Sequence, residues 1–293
     1  MEISAGAINR TPMTAAAAIE QGLTREQLRG PRFSSVLRGV YVSAGSAADL
    51  ALRSAAAMLL YPDAVLSHET AVQLWKLPMP VSKPRETAQL HLTVRPGRVK
   101  PKRAGIRGHV KMLSDDEVRY FEGCSLTSLP RTFVDVAESW SVEDLIVVGD
   151  AMLQQIASSE LLDALARAGR RPGIVGARWA AAHLDKRSGS PMESLVRARL
   201  IMAGLPTPEV NVDLYDDFGR WMARPDLFYR QAMLAIEYEG EHHRTRRQFD
   251  RDTLRDRNYA ELGVRLVRVT ARDVLVVPQS LTDAIARLLG LKD

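Results

Sequence analysis

The sequence predicts a multidomain chain of the α/β and α+β classes. Two short helices and a strand pair open it, helices and strands mix in the middle, and the last third follows the order α-β-β-β-α-β. The length of 293 residues suits two or three domains. We therefore predict a winged helix-turn-helix domain at residues 1–60, a mixed, largely helical middle region at 61–184 and a C-terminal αβββαβ domain at 185–293.

Residues 14–45 carry the pattern of a helix-turn-helix. Thr14 and Thr24 can each cap a short helix, and Gly22 can end the first of them. Two short helices joined by a turn that contains glycine are typical of this motif. The β-branched and aromatic residues between 35 and 42 then predict two short strands, which would form a wing.

The second helix of such a motif lies in the major groove of DNA. Side chains of that helix would then face the bases, and two later arginines would lie near phosphates. The predicted DNA contacts are Arg25, Gln27, Arg29, Arg32 and Arg38. The alternative is a small α/β domain whose exposed face is basic without binding DNA.

A second basic segment spans residues 95–107. It contains no acidic residue, and its high density of like charge favours an anionic partner such as a phosphate backbone. A solvated loop is the alternative interpretation. The basic residues are Arg95, Arg98, Lys100, Lys102, Arg103 and Arg107, of which Arg98, Lys100, Lys102 and Arg103 are the predicted DNA contacts.

Two residues, Cys124 and His68, are of types that often take part in catalysis, but we expect both to have structural roles. Cys124 is the single cysteine, which excludes an internal disulfide and a cysteine-based zinc site, and we expect it to be buried rather than reactive. His68 lies near a predicted helix start, where a hydrogen-bonded structural role is expected. The cysteine usage fits a reducing compartment, and we find neither a secretion signal nor a long apolar run, so we expect a cytoplasmic protein without a membrane partner.

Acidic residues collect in the C-terminal third. Asp226 begins the second predicted strand, and Glu237 and Glu239 lie two apart on the third, so both leave it on the same face. Glu193 lies in the first turn of the preceding helix, which Ser190 can cap. We therefore predict that Asp226 and Glu237 converge at neighbouring strand ends.

Such a cluster of acids needs neutralisation. Two carboxylates about 4 Å apart repel each other by roughly 4 kcal/mol at an effective dielectric constant of about 20. Mg²⁺ suits them because it binds one or two carboxylates while keeping waters and phosphate oxygens, and it can activate water against a phosphodiester. The alternative is pairing with local arginines such as Arg197, Arg224 or Arg244.

Two segments in this region, ARPDLFYRQAMLAIEYEGEHH and QFDRDTLRDRNYAELGVRLVRVT, carry a motif. With the order of elements over 188–293, they resemble the PD-(D/E)XK nucleases, in the branch of the very-short-patch-repair endonucleases. The resemblance implies a restriction-endonuclease-like core that hydrolyses DNA with Mg²⁺ or Mn²⁺. Asp226, which follows Pro225, matches the first acid of the motif, and Glu237 matches the second. Glu193 matches the helix acid of many members, so these three acids are the implied metal ligands.

One motif position departs from the family pattern. The third position is usually lysine, and here it is Glu239, which is then either an additional metal ligand or a sign of weak activity. Another residue would have to orient the water or stabilise charge in place of lysine. The candidates are His242, His243, Arg244 and Arg251. The predicted catalytic residues are thus Asp226, Glu237, Glu239 and His243, and Arg244 and Arg247 are predicted phosphate contacts.

The segment TAAAAIEQGLTREQLRGPRFSSVLRGVYVSA resembles the winged-helix domain of abortive-infection antitoxins, and residues 60–175 are similar to what usually follows it. This implies DNA as a partner, and a toxin or another protein as a further one. Two functions stay open: a metal-dependent DNA endonuclease, or a non-catalytic DNA-binding regulator that uses a nuclease fold as a scaffold. An RNA target is a third possibility.

Overall fold

The chain divides into two compact units, each with its own sheets. The first combines Met1–Ser139 with Asp163–Pro172, and the second combines Trp140–Leu162 with Gly173–Asp293. The protein is therefore a multidomain chain of mixed α/β structure. The computed structural model describes residues 11–46, 48–81, 89–121, 123–240 and 246–291.

The first unit begins with two short helices and a small antiparallel sheet. These elements are β1 (Met13–Thr14), α1 (Ala15–Glu20), α2 (Arg25–Arg29), β2 (Phe33–Leu37) and β3 (Val40–Ser43). In the sheet, β3 lies between β1 and β2. The hydroxyls of Thr14 and Thr24 accept hydrogen bonds from the backbone N–H groups of Ala17 and Gln27, which confirms both predicted helix caps.

A mixed sheet forms the rest of the first unit. Its elements and flanking helices are α3 (Leu50–Leu60), β4 (Val65–Leu66), α4 (His68–Leu74), β5 (Leu90–Val94), β6 (Lys102–Arg103), β7 (Ile106–Val110), β8 (Val118–Phe121), β9 (Cys124–Thr127) and α5 (Leu129–Val136). The strand order within the described residues is β6-β7-β5-β4-β9-β8. Leu66, Leu92 and Leu126 lie in its core, and Cys124 is buried, as predicted.

The second unit joins helices to a mixed sheet and a separate hairpin. Its elements are α6 (Val142–Met152), α7 (Ser158–Arg167), α8 (Ile174–Ala181), α9 (Pro191–Met202), β10 (Glu209–Val210), β11 (Leu214–Tyr215), β12 (Trp221–Ala223), β13 (Leu227–Tyr229), β14 (Leu234–Glu239), α10 (Arg246–Glu261), β15 (Arg265–Thr270), α11 (Ala271–Leu275) and α12 (Pro278–Leu288). The division between the two units falls within α7. Within the described chain, no helix is long and apolar enough to cross a membrane.

The sheet of the second unit has the strand order β10-β13-β14-β15. The pairs β10–β13 and β13–β14 are antiparallel, and α10 leads to β15, which lies parallel to β14. One expectation needs correction: the first strand of the predicted α-β-β-β-α-β order is two strands, β10 and β11, in two sheets. Asn211 has φ +47° between them, a left-handed conformation that ends a strand and that asparagine adopts more easily than most residues.

The predicted domain boundary near residue 185 falls inside the second unit. Val147 of α6 shares a buried cluster with Leu195 and Val196 of α9. The carboxylate of Asp150 also pairs with Arg197 at 2.6 Å, and both side chains are buried. These contacts join α6 to the C-terminal sheet, although glycine and proline near residue 185 are typical of a linker.

Candidate functional site

Four acidic residues, Glu193, Asp226, Glu237 and Glu239, form what we call the acid site. Asp226 directly precedes β13, and Leu227 pairs with Ile236 of β14, so the register places Asp226 beside Glu237. The backbone N–H of Tyr238 donates to Oδ2 of Asp226 at 2.7 Å. The turn into β13 thus fixes one carboxylate against the edge of β14.

Glu237 is buried and held by two side chains of α10. The hydroxyl of Tyr259 donates to its Oε1 at 2.7 Å, and Nη1 of Arg255 lies 3.3 Å from its Oε2. Burial and the bond to Glu237 raise the pKa of Tyr259, which keeps its phenol protonated as a donor. Glu237 is therefore a carboxylate whose charge is partly neutralised by the protein.

Glu193 is oriented by backbone and amide donors. Its Oε2 accepts hydrogen bonds from the N–H of Gly189 at 2.8 Å and from Nδ2 of Asn211 at 2.9 Å. The backbone N–H of Asn211 donates to the carbonyl of Asp226 at 3.0 Å. Asn211 therefore links the helix acid to the strand acid. Glycine at position 189 leaves room for the carboxylate, because an added Cβ would lie 3.2 Å from that same oxygen.

Glu239 meets an arginine from the neighbouring strand. Nε of Arg268 on β15 lies 2.7 Å from its Oε1, and the same guanidinium pairs with Asp256 of α10. In the parallel register Arg268 stands directly opposite Glu237. The positive charge of Arg268 therefore lies beside Glu239, the position at which the nuclease motif described above usually has lysine.

The electrostatics of the acid site centre on Asp226. Burial, followed by the nearby charges of Glu193 and Glu237, raises its pKa to about 7, against the opposing effects of the Tyr238 N–H and Arg255. Partial burial, together with the two neighbouring carboxylates, thus raises the affinity of Asp226 for a proton. A cation bound there would relieve the same repulsion.

The donor set fits an oxygen-coordinated ion. All of its ligand atoms are carboxylate oxygens, which suit Mg²⁺ and Mn²⁺. Among the described residues, Glu193, Asp226 and Glu237 do not bring one oxygen each within 4.8 Å of the others. One Mg²⁺ ion could therefore bind one or two of these carboxylates directly and reach the others through its retained waters. Of the three acids, Glu237 is the one whose charge a neighbouring arginine, Arg255, already offsets.

The arginines expected to neutralise the acids differ from those the structure uses. Arg197 pairs with Asp150, and Arg224 pairs with Asp213 at 2.6 Å. Arg255 and Arg268 take that role instead. Of the other predicted residues, His242, His243 and Arg244, together with the side chains of Arg247 and Arg251, lie outside the described part of the chain.

The predicted DNA contacts of the first unit are mostly exposed, but Gln27 has another task. Its Oε1 accepts a hydrogen bond from the N–H of Thr24 at 2.7 Å, which completes a capping box at the start of α2. Its carboxamide oxygen therefore stabilises the helix, although the side chain lies at the surface. Arg25, Arg29, Arg32 and Arg38 are exposed.

The β2–β3 strand pair and the basic segment lie side by side. The guanidinium of Arg103 donates to the carbonyl of Arg38, and Leu37 lies 3.6 Å from the position of a Cβ at Gly105. Two arginines of the segment have acidic partners from elsewhere in the chain: Arg98 lies 3.2 Å from Asp63, and Arg95 pairs with Asp115. The unneutralised charge expected along the segment is therefore reduced. Lys100, Lys102 and Arg107 are exposed.

Several residues that contact the acid site were not assigned to it from the sequence. These residues are Asn211, Arg255 and Tyr259. Spacing gives one signal: Arg255 and Tyr259 lie four residues apart and so share a helix face. The sequence contains no such signal for Arg268, because the place of this residue beside the acids depends on the register between β14 and β15.

Comparison with known proteins identifies relatives without assigned functions. No protein-family model matches the chain. Two Mycobacterium tuberculosis proteins, the uncharacterized proteins MT2308 (strain CDC 1551 / Oshkosh) and Rv2248 (strain H37Rv), are each 35% identical to it over 161 residues. The match covers 54% of this chain and 59% of each relative's length.

One solved structure, the crystal structure of the RV2827C protein from Mycobacterium tuberculosis, is also similar. The superposition has a TM-score of 0.44 at 14% sequence identity and covers 70% of this chain and 84% of that chain.

Proposed function

We propose that the protein binds DNA through its first unit and hydrolyses phosphodiester bonds at the acid site with Mg²⁺ or Mn²⁺. The observation that carries the proposal is the half-buried carboxyl of Asp226 beside Glu193 and Glu237, with Arg255 and Arg268 at the border of the site. Carboxylates repelling one another beside fixed positive charge are typical of a site for a cation and a phosphate.

Each residue contributes to holding this arrangement. The Tyr238 N–H orients Asp226, while Asn211 fixes the carboxylate of Glu193. Tyr259 orients Glu237 by its hydroxyl. A divalent ion at these carboxylates would lower the pKa of a bound water and offset negative charge on the phosphodiester.

Positive charge must also replace the missing lysine. Arg268 lies opposite Glu237 in the register and contacts Glu239, so its guanidinium can stabilise a developing phosphate charge from the position next to the acids. Arg255, which is half exposed, can change partner from Glu237 to a phosphate oxygen. Glu239 then acts as a positioning residue for Arg268.

For DNA binding, we infer that α1, α2 and the β2–β3 pair act as a winged helix. The contact between Arg103 and the Arg38 carbonyl supports this, because it joins the wing to the basic segment in one positively charged surface. Arg25, Arg29 and Arg32 would extend that surface. A reducing, cytoplasmic setting suits the single buried thiol of Cys124.

One observation favours a second function. Glu237 and Glu239 are both paired with arginines, which is how a fold can stabilise acids that no longer bind metal. The alternative is therefore a DNA-binding regulator, with a toxin or another protein as partner, on a non-catalytic nuclease-like scaffold.

A plasmid assay separates the two functions. Purified protein is incubated with supercoiled DNA and Mn²⁺ or Mg²⁺, beside Asp226→Asn and Glu237→Gln. The matched control is Asp213→Asn, which removes a carboxylate of the same unit that pairs with Arg224 outside the acid site.

We expect metal-dependent nicking by the unaltered protein and the control, and none by the two acid-site variants. DNA binding without nicking on plasmid, single-stranded and RNA substrates would replace the nuclease proposal with the regulator. Nicking that survives in Asp226→Asn would move the active site elsewhere.

A further inference from the structure

Three histidines of the first unit converge on one face of its mixed sheet. The strands β7, β5 and β4 are neighbours, and His109 lies on β7, His91 on β5, and His68 at the start of α4, just after β4. Thr93 of β5 pairs with His109 in register, so His91, two residues earlier, projects from the same face. The three rings bring one nitrogen each within 4.8 Å of the others.

The environment of His68 is unusual for a purely structural residue. Its φ of +50° is a left-handed conformation that costs about 1–2 kcal/mol. Nδ1 lies 2.9 Å from the Ser67 hydroxyl, which in turn lies 2.7 Å from the Thr93 hydroxyl. The other nitrogen, Nε2, is buried and has no hydrogen-bond partner among the described residues. Strain and an unsatisfied buried nitrogen together suggest that a ligand belongs there.

A carboxylate lies next to the three histidines. Oε2 of Glu69 lies 3.3 Å from Nδ1 of His91. Because Nδ1 is also the nitrogen that faces His109, Glu69 would serve a bound cation as a counter-charge or as a further ligand.

Two cations near His68 do not oppose a metal ion with their full charge. Lys111 and Arg131 both place a positive charge close enough to repel a cation at His68. Lys111 is paired with Glu138, and Arg131 lies 2.8 Å from Glu117. Arg131 also pairs with Asp135 at 2.9 Å. Their positive charges are therefore offset within the protein.

We propose that His68, His91 and His109 bind one divalent transition-metal ion, with Zn²⁺ the best fit. Zn–N bonds of about 2.0–2.1 Å in a tetrahedron place two nitrogens about 3.3 Å apart. Nε2 of His109 and Nδ1 of His91 are already 3.2 Å apart. Three protein nitrogens leave the fourth position of a tetrahedral ion for water or a substrate atom.

The site is independent of the proposed nuclease, which uses carboxylates of the second unit. It is tested with the full chain, without an affinity tag, stripped of metal by a chelator and then titrated with Zn²⁺ or Co²⁺. We expect one tightly held Zn²⁺ per chain, a melting temperature that rises with Zn²⁺, and X-ray absorption by the bound ion that shows imidazole scattering.

Two variants locate the ion. His109→Gln alters the least buried of the three ligands and should abolish stoichiometric Zn²⁺ binding, whereas His183→Gln, a histidine stacked on Trp179 in the second unit, should not. Asp226→Asn should also retain the Zn²⁺, which separates this site from the acid site.

Absence of Zn²⁺ binding by the unaltered chain would overturn the proposal and leave a hydrogen-bonded histidine cluster. Unchanged binding by His109→Gln, or an ion without imidazole scattering, would overturn it as well. The absorption measurement uses the unaltered protein, so it decides the question even if the variant fails to fold.

Discussion

Asn211 shows how much of the acid site depends on single residues that hold its ligands. Its side chain fixes Glu193, its backbone contacts Asp226, and its left-handed φ ends β10. Asn211→Gly keeps that backbone conformation without strain and removes only the amide. Because loss of such a supporting contact typically costs 10–100-fold in metal affinity or activity, we expect nicking to fall by about that factor.

Asn258→Ala is the control for this prediction. Its Nδ2 donates to the carbonyl of Met222 at 2.7 Å, so it removes an amide contact of the same unit outside the acid site. Equal nicking rates for Asn211→Gly and the unaltered protein would show that the Asn211 amide does not support the reaction.

Asp150 makes a different prediction, on stability. It accepts hydrogen bonds from Ser194 at 2.7 Å and from the backbone N–H of Asp185 at 2.8 Å, and it neutralises the buried Arg197. Asp150→Asn leaves that guanidinium without a counter-charge, so we expect the free energy of unfolding to fall by about 3–5 kcal/mol. Asp213→Asn, at an exposed pair, should leave the midpoint of the same denaturant titration nearly unchanged. Similar losses for the two would contradict this assignment.

At the scale of elements, helix α2 carries two side chains with different expected roles, one that stabilises the helix and one that is a candidate DNA contact. Gln27 completes the capping box with Thr24, whereas Arg29 is exposed on the same five-residue helix. We expect Gln27→Ala to lower the free energy of unfolding by about 0.5–2 kcal/mol because a cap is weakened. Arg29→Ala should leave stability nearly unchanged and weaken DNA binding. Calorimetry and DNA titration of both variants check this, and a reversed pattern would remove Arg29 from the interface.

Local patterns predicted most of these elements, and long-range pairing decided the remainder. Thr14 and Thr24 cap their helices as predicted, because a cap depends on residues three positions away. The break at Asn211 was missed because asparagine tolerates both strand and left-handed conformations. Arg268 was missed because only the parallel pairing of β14 with β15 brings it to Glu237 and Glu239.

At the scale of the whole molecule, sequence predicted a mixed α/β chain with several domains but placed a boundary at residue 185. Glycine and proline there resemble a linker, yet Val147 and Asp150 of α6 pack and pair with residues of α9.

The three histidines are also a whole-chain feature: 68, 91 and 109 have no metal-binding spacing along the sequence and meet only through strand order. A cluster of this kind can be recognised only when the order of the strands in the sheet is known.

The charge of the whole molecule supplies the last prediction. The net charge is +5, and the exposed Lys100, Lys102 and Arg107 lie on the unit that carries the predicted wing. If the surface makes about six phosphate contacts, DNA affinity should fall roughly a thousandfold between about 50 and 200 mM salt, because bound cations are released from DNA. Replacing these three residues by alanine should lower the slope of log affinity against log salt by about 3, at about 0.9 per contact.

A matched triple variant tests whether position or total charge matters. Arg257, Arg272 and Arg287 are exposed arginines of the second unit, and replacing them by alanine removes the same charge. We expect this control to keep most of the slope, measured by fluorescence anisotropy with one duplex over a salt series. An equal loss in both variants would mean that DNA responds to net charge alone. A slope near zero in the unaltered protein would remove phosphate contacts, and with them the DNA-binding part of the proposal.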